Sequence, residues 1–535
     1  MKLKEKKAKK RLAIIGAGSS GLVTLKLALD QLPDLEVCCF ERTSSTQGAW
    51  GRTYEGFVST STKYTTQFSC HRKYDSQVRS GAKEEYNEFF RHNEYGDYLQ
   101  SFVEEKNLGD HIYKNHEIQK VLKKGDVWEL SMLYEGHSIV QLFDYLVIST
   151  GLAERPKAID SPIKTLISFD PEEPVRGKKI VVVGGGESAT DIANRLASPD
   201  LNNQVYLSLK TGVRVSPRYH PIKGVPSDFL RNRFLISIHE DIRNAVGQKF
   251  VEARIKHQEK FERFFRSKSK MKEEGSLADK RKYWDTKLTK RAKGHLFNMF
   301  HNKSDGFLSA VAEGRIQIIG KNIDESFESY FDFDNEKEID VSPDYLVPMI
   351  GYESNLHEIS EGLIQVKDFF LGCQHVDYSN IFLVGFARPI IGNIPTISEM
   401  QARYVVGSIG GQYQRSSDIS EKHAIDRNSL NERYPKLNTD QMYPVDMVPY
   451  CDRLARKMGT YPSFKKLKSV RMWIKVMLSP FSTVHYLDED FDSDYINNQK
   501  VYSPLIISAL LVLIKFFDVP YTKIKKITEP KNKNY

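Results

Sequence analysis

Arg11-Leu-Ala-Ile-Ile-Gly16-Ala-Gly18-Ser-Ser-Gly21-Leu-Val-Thr-Leu25 decides the fold. A short apolar run ends in glycines spaced G-x-G-x-x-G, and Leu22, Leu25 and Leu29 then recur with helical period. The pattern is strand, glycine turn, helix. Gly16 permits the tight turn, Gly18 lets the backbone approach a pyrophosphate, and Gly21 lets the helix pack on the strand. An anion then sits on the helix N-terminus, where unpaired N–H groups and the dipole favour it. The next strand, Leu35-Glu-Val-Cys-Cys-Phe40, ends in Glu41, about 20 residues past the glycines, where a ribose-binding carboxylate belongs.

Working outward, the same pattern returns at Lys178-Lys-Ile-Val-Val-Val183, Gly184-Gly185-Gly186-Glu187-Ser188-Ala189 and a helix carrying Asp191, Ile192 and Leu196. Alanine in the third glycine position still allows close packing. The following strand, Gln204-Val-Tyr-Leu-Ser208, leads to Lys210 instead of an acid. A cation suits a 2′-phosphate, with Arg214 and Arg218 nearby, so NADPH is expected over NADH. The first turn, with Glu41, is assigned to FAD, and Gln47-Gly48-Ala49-Trp50 offers a flavin an aromatic surface. Two further strands end at Gly151 and Gly351 and read as crossovers between two dinucleotide-binding domains. Pro395 reads as a first-turn helix residue; that helix end would stabilise negative charge on a reduced flavin.

The bulk numbers agree with an enzyme of several domains: 535 residues, 40% hydrophobic and 27% charged. The net charge of +9 is concentrated in residues 2–11, 249–293 and 515–533. Glu and Asp interrupt the mid-chain cluster, which reads as solvated helix faces, so no nucleic-acid partner is expected. The five cysteines form no C-x-x-C pair and suggest reduced thiols in a cytosol-facing compartment. The histidines share no ligand spacing, so no metal is expected, and no G-x-S-x-G supports hydrolysis. No signal peptide is readable, because the charged start runs straight into the first strand. Leu505 to Ile514 form an apolar run short of the ~20 residues a membrane span needs; it reads as a core or docking helix, or as an interfacial anchor.

The order of these elements, over about residues 10–450, resembles the flavin-containing monooxygenases, a branch of the flavoprotein monooxygenases that also includes the Baeyer–Villiger enzymes. The paired glycine turns, Ser59-Thr60-Ser61-Thr62-Lys63, the crossover ending at Gly151, and the stretch from Arg388-Pro389 to Arg403 carry the likeness. Flavin disulfide reductases share the turns but need a cysteine pair that this chain lacks. The resemblance implies an α/β fold of two Rossmann-like dinucleotide-binding domains. The FAD domain is then discontinuous (10–168 and 331–450) and the NADP domain (169–330) is inserted into it. A helical insertion covers about 220–300, and a helical extension, 451–535, carries the apolar segment 504–517.

By the same resemblance, Gly16, Ala17, Gly18, Ser19, Ser20, Gly21, Glu41, Ala49, Trp50, Thr60 and Ser61 hold FAD. Gly184, Gly186, Ser188, Ala189, Thr190 and Asp191 hold NADP, with Ser59 and Thr60 near its nicotinamide end and Lys210 and Arg214 at its 2′-phosphate. Thr60 is the one catalytic candidate. The activity implied is an NADPH-dependent flavin monooxygenase that forms a C4a-hydroperoxyflavin from O₂ and oxygenates a soft nitrogen or sulfur centre of a small molecule. The alternatives are a Baeyer–Villiger-type enzyme, an NADPH oxidase, or a nucleotide-binding protein without turnover. The expected location is the cytoplasm or a cytosol-facing membrane (the endoplasmic reticulum in a eukaryote), with peripheral membrane contact and homo-oligomer formation left open.

Three departures from the family pattern stand out. Thr60 replaces an asparagine, giving one donor hydrogen where the amide has two. The fingerprint F-x-G-x-x-x-H-x-x-x-F/Y is not intact, with Ile167 about where its histidine falls. The second crossover reads Met349-Ile350-Gly351-Tyr352 where the family has A-T-G-Y. These bear on oxygenation and substrate choice, not on nucleotide binding.

Overall fold

The computed structural model describes residues 9–78, 85–166, 174–220, 224–239, 242–243, 249, 276–292 and 301–502. These fall in two compact units: those within Met1–Arg155, Tyr352–Val476 and Phe481–Gln499, and those within Pro156–Gly351, Met477–Pro480 and Lys500–Tyr535.

The first unit is built on a sheet of seven strands. In spatial order they are Phe369–Phe370, Gln374–His375, Ile381–Leu383, Tyr145–Ile148, Arg11–Ile15, Glu36–Phe40 and Ile112–Tyr113. The five from Ile381–Leu383 onward pair in parallel, with Ile14 opposite both Cys39 and Val147. Parallel sheets need both faces covered, which is why Leu12, Ala13, Ile14, Leu146, Val147 and Ile148 are wholly buried. The helices Ser19–Gln31 and Ile394–Ile409 lie together: Ser20 and Ser398 share a hydroxyl hydrogen bond of 2.8 Å, and a Cβ at Gly410 would touch Leu32. A meander of Glu117–Lys124, Val127–Tyr134 and His137–Phe143 buries Trp128 on one face.

The last part of this unit folds back onto its beginning. The amide of Gln67 donates to the Tyr495 hydroxyl at 3.1 Å, Arg72 pairs with Asp492 at 3.1 Å, and Ser76 N–H donates to Gln499 at 3.0 Å. A small core of Met472, Val476, Val484 and Ile496 supports that return.

The second unit carries a six-stranded sheet in the order Glu338–Asp340, Ser329–Asp332, Ile316–Asn322, Gln204–Ser208, Lys179–Val183 and Tyr345–Pro348. Its core gathers Val181, Tyr206, Ile319, Tyr330, Val341 and Leu346.

Two expected boundaries move. The chain leaves the first unit after Arg155, not 168, and returns at Tyr352, not 331. The reason is pairing: Tyr345–Pro348 lies parallel to Lys179–Val183, Val181 opposite Leu346, and Thr165 bridges to Leu346, so the stretches around 165 and 345–348 belong to the second unit, while the crossover strand ending at Gly151 stays in the first. Most of the expected C-terminal extension is also no separate body. The helix Met447–Met458, the turn Phe464–Leu467 and the helix Ser493–Asn498 belong to the first unit. Of the insertion at 220–300, the described parts are the turn Ser227–Leu230, the short helix Arg233–Ile236 and the helix Ser276–Arg291. Ile167 and the segment 504–517 lie outside the described residues. Among the described residues no helix is long and apolar enough to cross a membrane.

Candidate functional site

The first glycine turn is sterically compulsory. Gly16 has φ of 95°, and a Cβ there would sit 2.9 Å from the Ser149 carbonyl oxygen. A Cβ on Gly21 would come within 1.8 Å of the Gly16 carbonyl oxygen. Gly18 caps the helix Ser19–Gln31, whose first intrahelical bond runs from Leu22 N–H to Gly18 O at 2.9 Å. The N–H groups of Ser19, Ser20 and Gly21 therefore have no intrahelical acceptor, which suits an anion. A Cβ on Gly18 would face the Cα of Gly48 at 3.5 Å, and Gly48 itself has φ of 56°. A side chain on either residue would fill the space between them. This bare cradle is the observation by which the turn fits a dinucleotide pyrophosphate.

Glu41 closes the turn. It is buried; Oε2 accepts the Ala17 N–H at 2.9 Å, while Oε1 accepts the Thr43 N–H at 3.0 Å and the Thr43 hydroxyl at 2.9 Å. Ala49 is exposed on the single turn Gly48–Arg52. Trp50 is half-buried, its ring 4.6 Å from Tyr95 and edge-on to Phe57 at 6.0 Å.

The strand Val58–Thr62 separates its hydroxyls by face. Ser59 is buried, donating to Ser61 O at 2.7 Å and accepting the Phe90 N–H at 2.9 Å. Those bonds hold the strand to its neighbour Phe89–Arg91. Period-two alternation turns Thr60 the other way, half-buried. Ser59 and Thr60 thus point to opposite faces of the strand. Ser61 is buried.

The helix Ile394–Ile409 begins as expected, with Pro395 in its first turn. Its cap is Asn393, whose Oδ1 accepts the Thr396 N–H at 2.9 Å and whose Nδ2 donates to Thr65 O at 2.9 Å. Thr396 donates to the same carbonyl at 2.5 Å, fixing the helix N-terminus to the chain just after Thr60. One turn further in, Glu399 is 1% exposed and accepts the Ser69 N–H at 3.1 Å, the Thr483 hydroxyl at 2.6 Å and Arg403 at 3.0 Å. Arg403 also reaches Asp490 at 3.1 Å and pairs with Asp488. Three carboxylates thus share one guanidinium. Burial pushes Asp488 up to about 6, against the pull of Arg403 and with reinforcement from Asp490.

In the second unit, Gly184 has φ of 135°, and a Cβ there would meet the Met349 carbonyl oxygen at 2.3 Å. A Cβ on Gly186 would meet nothing within 4 Å, and Ser188 beside it is exposed, so this turn presents an open cradle. Ala189 is fully buried. Thr190 is buried and donates to Glu187 O at 3.0 Å; Asp191 is half-buried. Lys210 is exposed just beyond the strand Gln204–Ser208, as a 2′-phosphate contact requires. The two arginines differ from it. Arg214 is buried at 4% exposure, and Arg218 is buried and paired with Asp305 at 3.2 Å, so its charge already has a partner.

Residues the sequence did not suggest complete both turns. Gly385, with φ of 93°, leaves room for the Ser20 hydroxyl, which its Cβ would otherwise meet at 2.4 Å. Asn302 donates to Gly185 O at 3.0 Å, and buried Lys303 pairs with Asp228 at 2.5 Å beside it. Burial lowers the Lys303 ammonium from its ordinary range. Positive φ after a strand could have flagged Gly385; Asn302 and Lys303 lie too far along the chain to carry a signal.

Residues 9–282 match the family of flavin-binding monooxygenase-like proteins. Over 509 residues the chain is 25% identical to a 4-hydroxybenzoate brominase (decarboxylating) from Pseudoalteromonas luteoviolacea, covering 90% of each chain. It is 24% identical to dimethylaniline monooxygenase (N-oxide-forming) 2 from Mus musculus, covering 89% of this chain and 88% of that one. Its fold matches S-allyl-L-cysteine S-oxygenase from Allium sativum with a TM-score of 0.54 and 16% identity, over 96% of this chain and 99% of that one. The chain belongs to the flavin-binding monooxygenase-like family and is an FAD- and NADPH-dependent monooxygenase.

Proposed function

We propose that this monooxygenase transfers oxygen to a soft nitrogen or sulfur centre of a small molecule. The observation that carries the reading is the strand Val58–Thr62, which offers only hydroxyls besides Val58 and no ionisable side chain. Oxygen transfer to a soft nucleophile needs no acid or base from the protein, whose part is placement and exclusion of water. The N-oxide-forming relatives, aligned over most of the chain, support it.

Bound FAD supplies acceptance of hydride from NADPH and activation of O₂. Gly16, Ala17, Gly18, Ser19, Ser20 and Gly21 would hold its pyrophosphate, Glu41 its ribose, and Ala49, Trp50, Thr60 and Ser61 would lie along the flavin. The Asn393-capped helix would present N–H groups to the ring. Gly184, Gly186, Ser188, Ala189, Thr190 and Asp191 would hold NADPH, with Lys210 on the 2′-phosphate and Arg214 reinforcing its charge.

The test is turnover of NADPH with a tertiary aromatic amine and with a thioether, reading N-oxide and S-oxide by mass spectrometry. Peroxide release equal to NADPH consumed, with neither oxide formed, would refute the reading. The brominase relatives favour a second one, in which a halide is the nucleophile. Bromide and 4-hydroxybenzoate in the same assay decide it by the appearance of a bromophenol.

A further inference from the structure

The two glycine turns repeat one motif, and a single position separates them by charge. Gly18 and Gly186 each cap a helix, and Ser19, Ser20 and Gly21 of the first correspond to Glu187, Ser188 and Ala189 of the second. The first helix has no acid in its opening turn, whereas the second opens on Glu187. Its first intrahelical bond runs from Thr190 N–H to Gly186 O at 3.2 Å, so the N–H groups ahead of it face out of the helix end. That end favours an anion, and a carboxylate built into it supplies part of what a phosphate would bring. Glu187 therefore competes with a phosphate seated there and repels it.

The neighbouring loop steers the carboxylate. Asn302 donates to Gly185 O at 3.0 Å, and the next residue, Lys303, donates its N–H to Glu187 Oε1 at 3.5 Å. Pairing of Val215–Ser216 with Asn302–Lys303 holds that loop in place. The Lys303 ammonium, buried and paired with Asp228 at 2.5 Å, adds an attraction for the Glu187 charge. Glu187 is thus kept half-buried at the rim, while a Cβ on Gly186 would meet nothing and Ser188 is exposed. The cradle stays open with a negative charge beside it.

We propose, on the assignment of the second turn to NADPH, that Glu187 makes this turn release its nucleotide by weakening the hold of the helix end on the pyrophosphate. A flavin cofactor serves many cycles in place, whereas a nicotinamide nucleotide is consumed in each one and has to leave. The neutral Ser19 suits the first duty and the carboxylate of Glu187 the second.

The test is calorimetric binding of NADP⁺ and of NAD⁺ to the full-length, FAD-loaded protein, with dissociation followed by stopped flow. Glu187→Gln keeps the shape and an acceptor oxygen for the Lys303 N–H and removes only the charge. It should bind both nucleotides about ten-fold more tightly and release them about ten-fold more slowly. The gain should shrink as salt rises from about 0.05 M to about 0.5 M, which a change of shape alone would not do. Lys210→Ala, weakening NADP⁺ but not NAD⁺, marks the second turn as the nucleotide site; no effect from it would overturn that assignment and this inference with it. With that mark in place, Glu187→Gln affinities equal to the parent's, or a gain indifferent to salt, would overturn the role of Glu187 alone. Unchanged FAD affinity of the Glu187→Gln apoprotein confines the effect to the second turn, and an equal gain for FAD would count against the proposal.

Discussion

Gly21→Ala tests the steric logic of the first turn. The added methyl would lie 1.8 Å from the Gly16 carbonyl oxygen and 2.9 Å from its carbon, where ordinary contact is 3.4–4 Å. Helix and turn would have to part by more than an ångström. Gly16 cannot yield, because its N–H bonds Phe40 O at 2.8 Å and Ser149 backs it from the neighbouring strand. Overpacking of this kind costs ~3 kcal/mol, and alanine's better helix propensity returns ~1 kcal/mol. The net loss of about 2 kcal/mol corresponds to roughly thirty-fold in FAD affinity, or to about 4 °C in Tm if the strain appears as stability instead. Flavin absorbance of the purified protein, an FAD titration of the apoprotein and calorimetry read both. Gly186→Ala is the control, since its methyl meets nothing, and its Tm should match the parent's. A Gly21→Ala protein with parental FAD affinity and Tm would refute the reasoning.

Other consequences follow from individual contacts. Glu41→Ala strands the Ala17 and Thr43 N–H donors, at about 1–3 kcal/mol, so FAD titration should show binding weaker by roughly five-fold to a hundred-fold. Lys210→Ala should raise KM for NADPH by about ten-fold or more while leaving KM for NADH unchanged; equal losses would contradict the 2′-phosphate contact. Asp488 holds its proton more tightly folded than unfolded, so its contribution is full below pH ~4 and is lost as pH rises through about 6. That contribution is about 3 kcal/mol. Denaturant titrations should show the parent losing that much against Asp488→Asn between pH 4 and pH 7, and a constant difference would remove Asp488 from the titration.

The parts of this fold legible in the sequence are those whose physics is local. A tight turn needs glycine within a few residues of its strand, so both glycine turns, Glu41 and the Pro395 helix start could be read directly. Arg214 and Arg218 looked like Lys210 because charge is visible in a sequence and burial is not; Asp305, which occupies Arg218, is contributed from far along the chain. Ser59 shows the same limit. Its alternation from Thr60 was readable, but its bond to Phe90 depends on a strand pairing. The unit boundaries shifted because edge strands are assigned by what they pair with, and Tyr345–Pro348 reads the same whichever sheet receives it.

The return of the C-terminal segment onto residues 67–76 imposes an order on biosynthesis. The ribosome delivers the first glycine turn early, yet Gln67, Arg72 and Ser76 must wait more than 400 residues for Tyr495, Asp492 and Gln499. Until then that stretch has its bonds to Tyr98, Ser101 and Glu105 but lacks those the C-terminal segment supplies, and the Ile394–Ile409 helix that meets it at Thr65 is itself unmade for most of that time. A nascent chain can therefore form its first glycine turn before the segment that follows Thr60 has all its bonds. A ribosome that stops short of residue 481 thus releases a chain whose first unit is nearly complete in sequence and unfinished around residues 67–76.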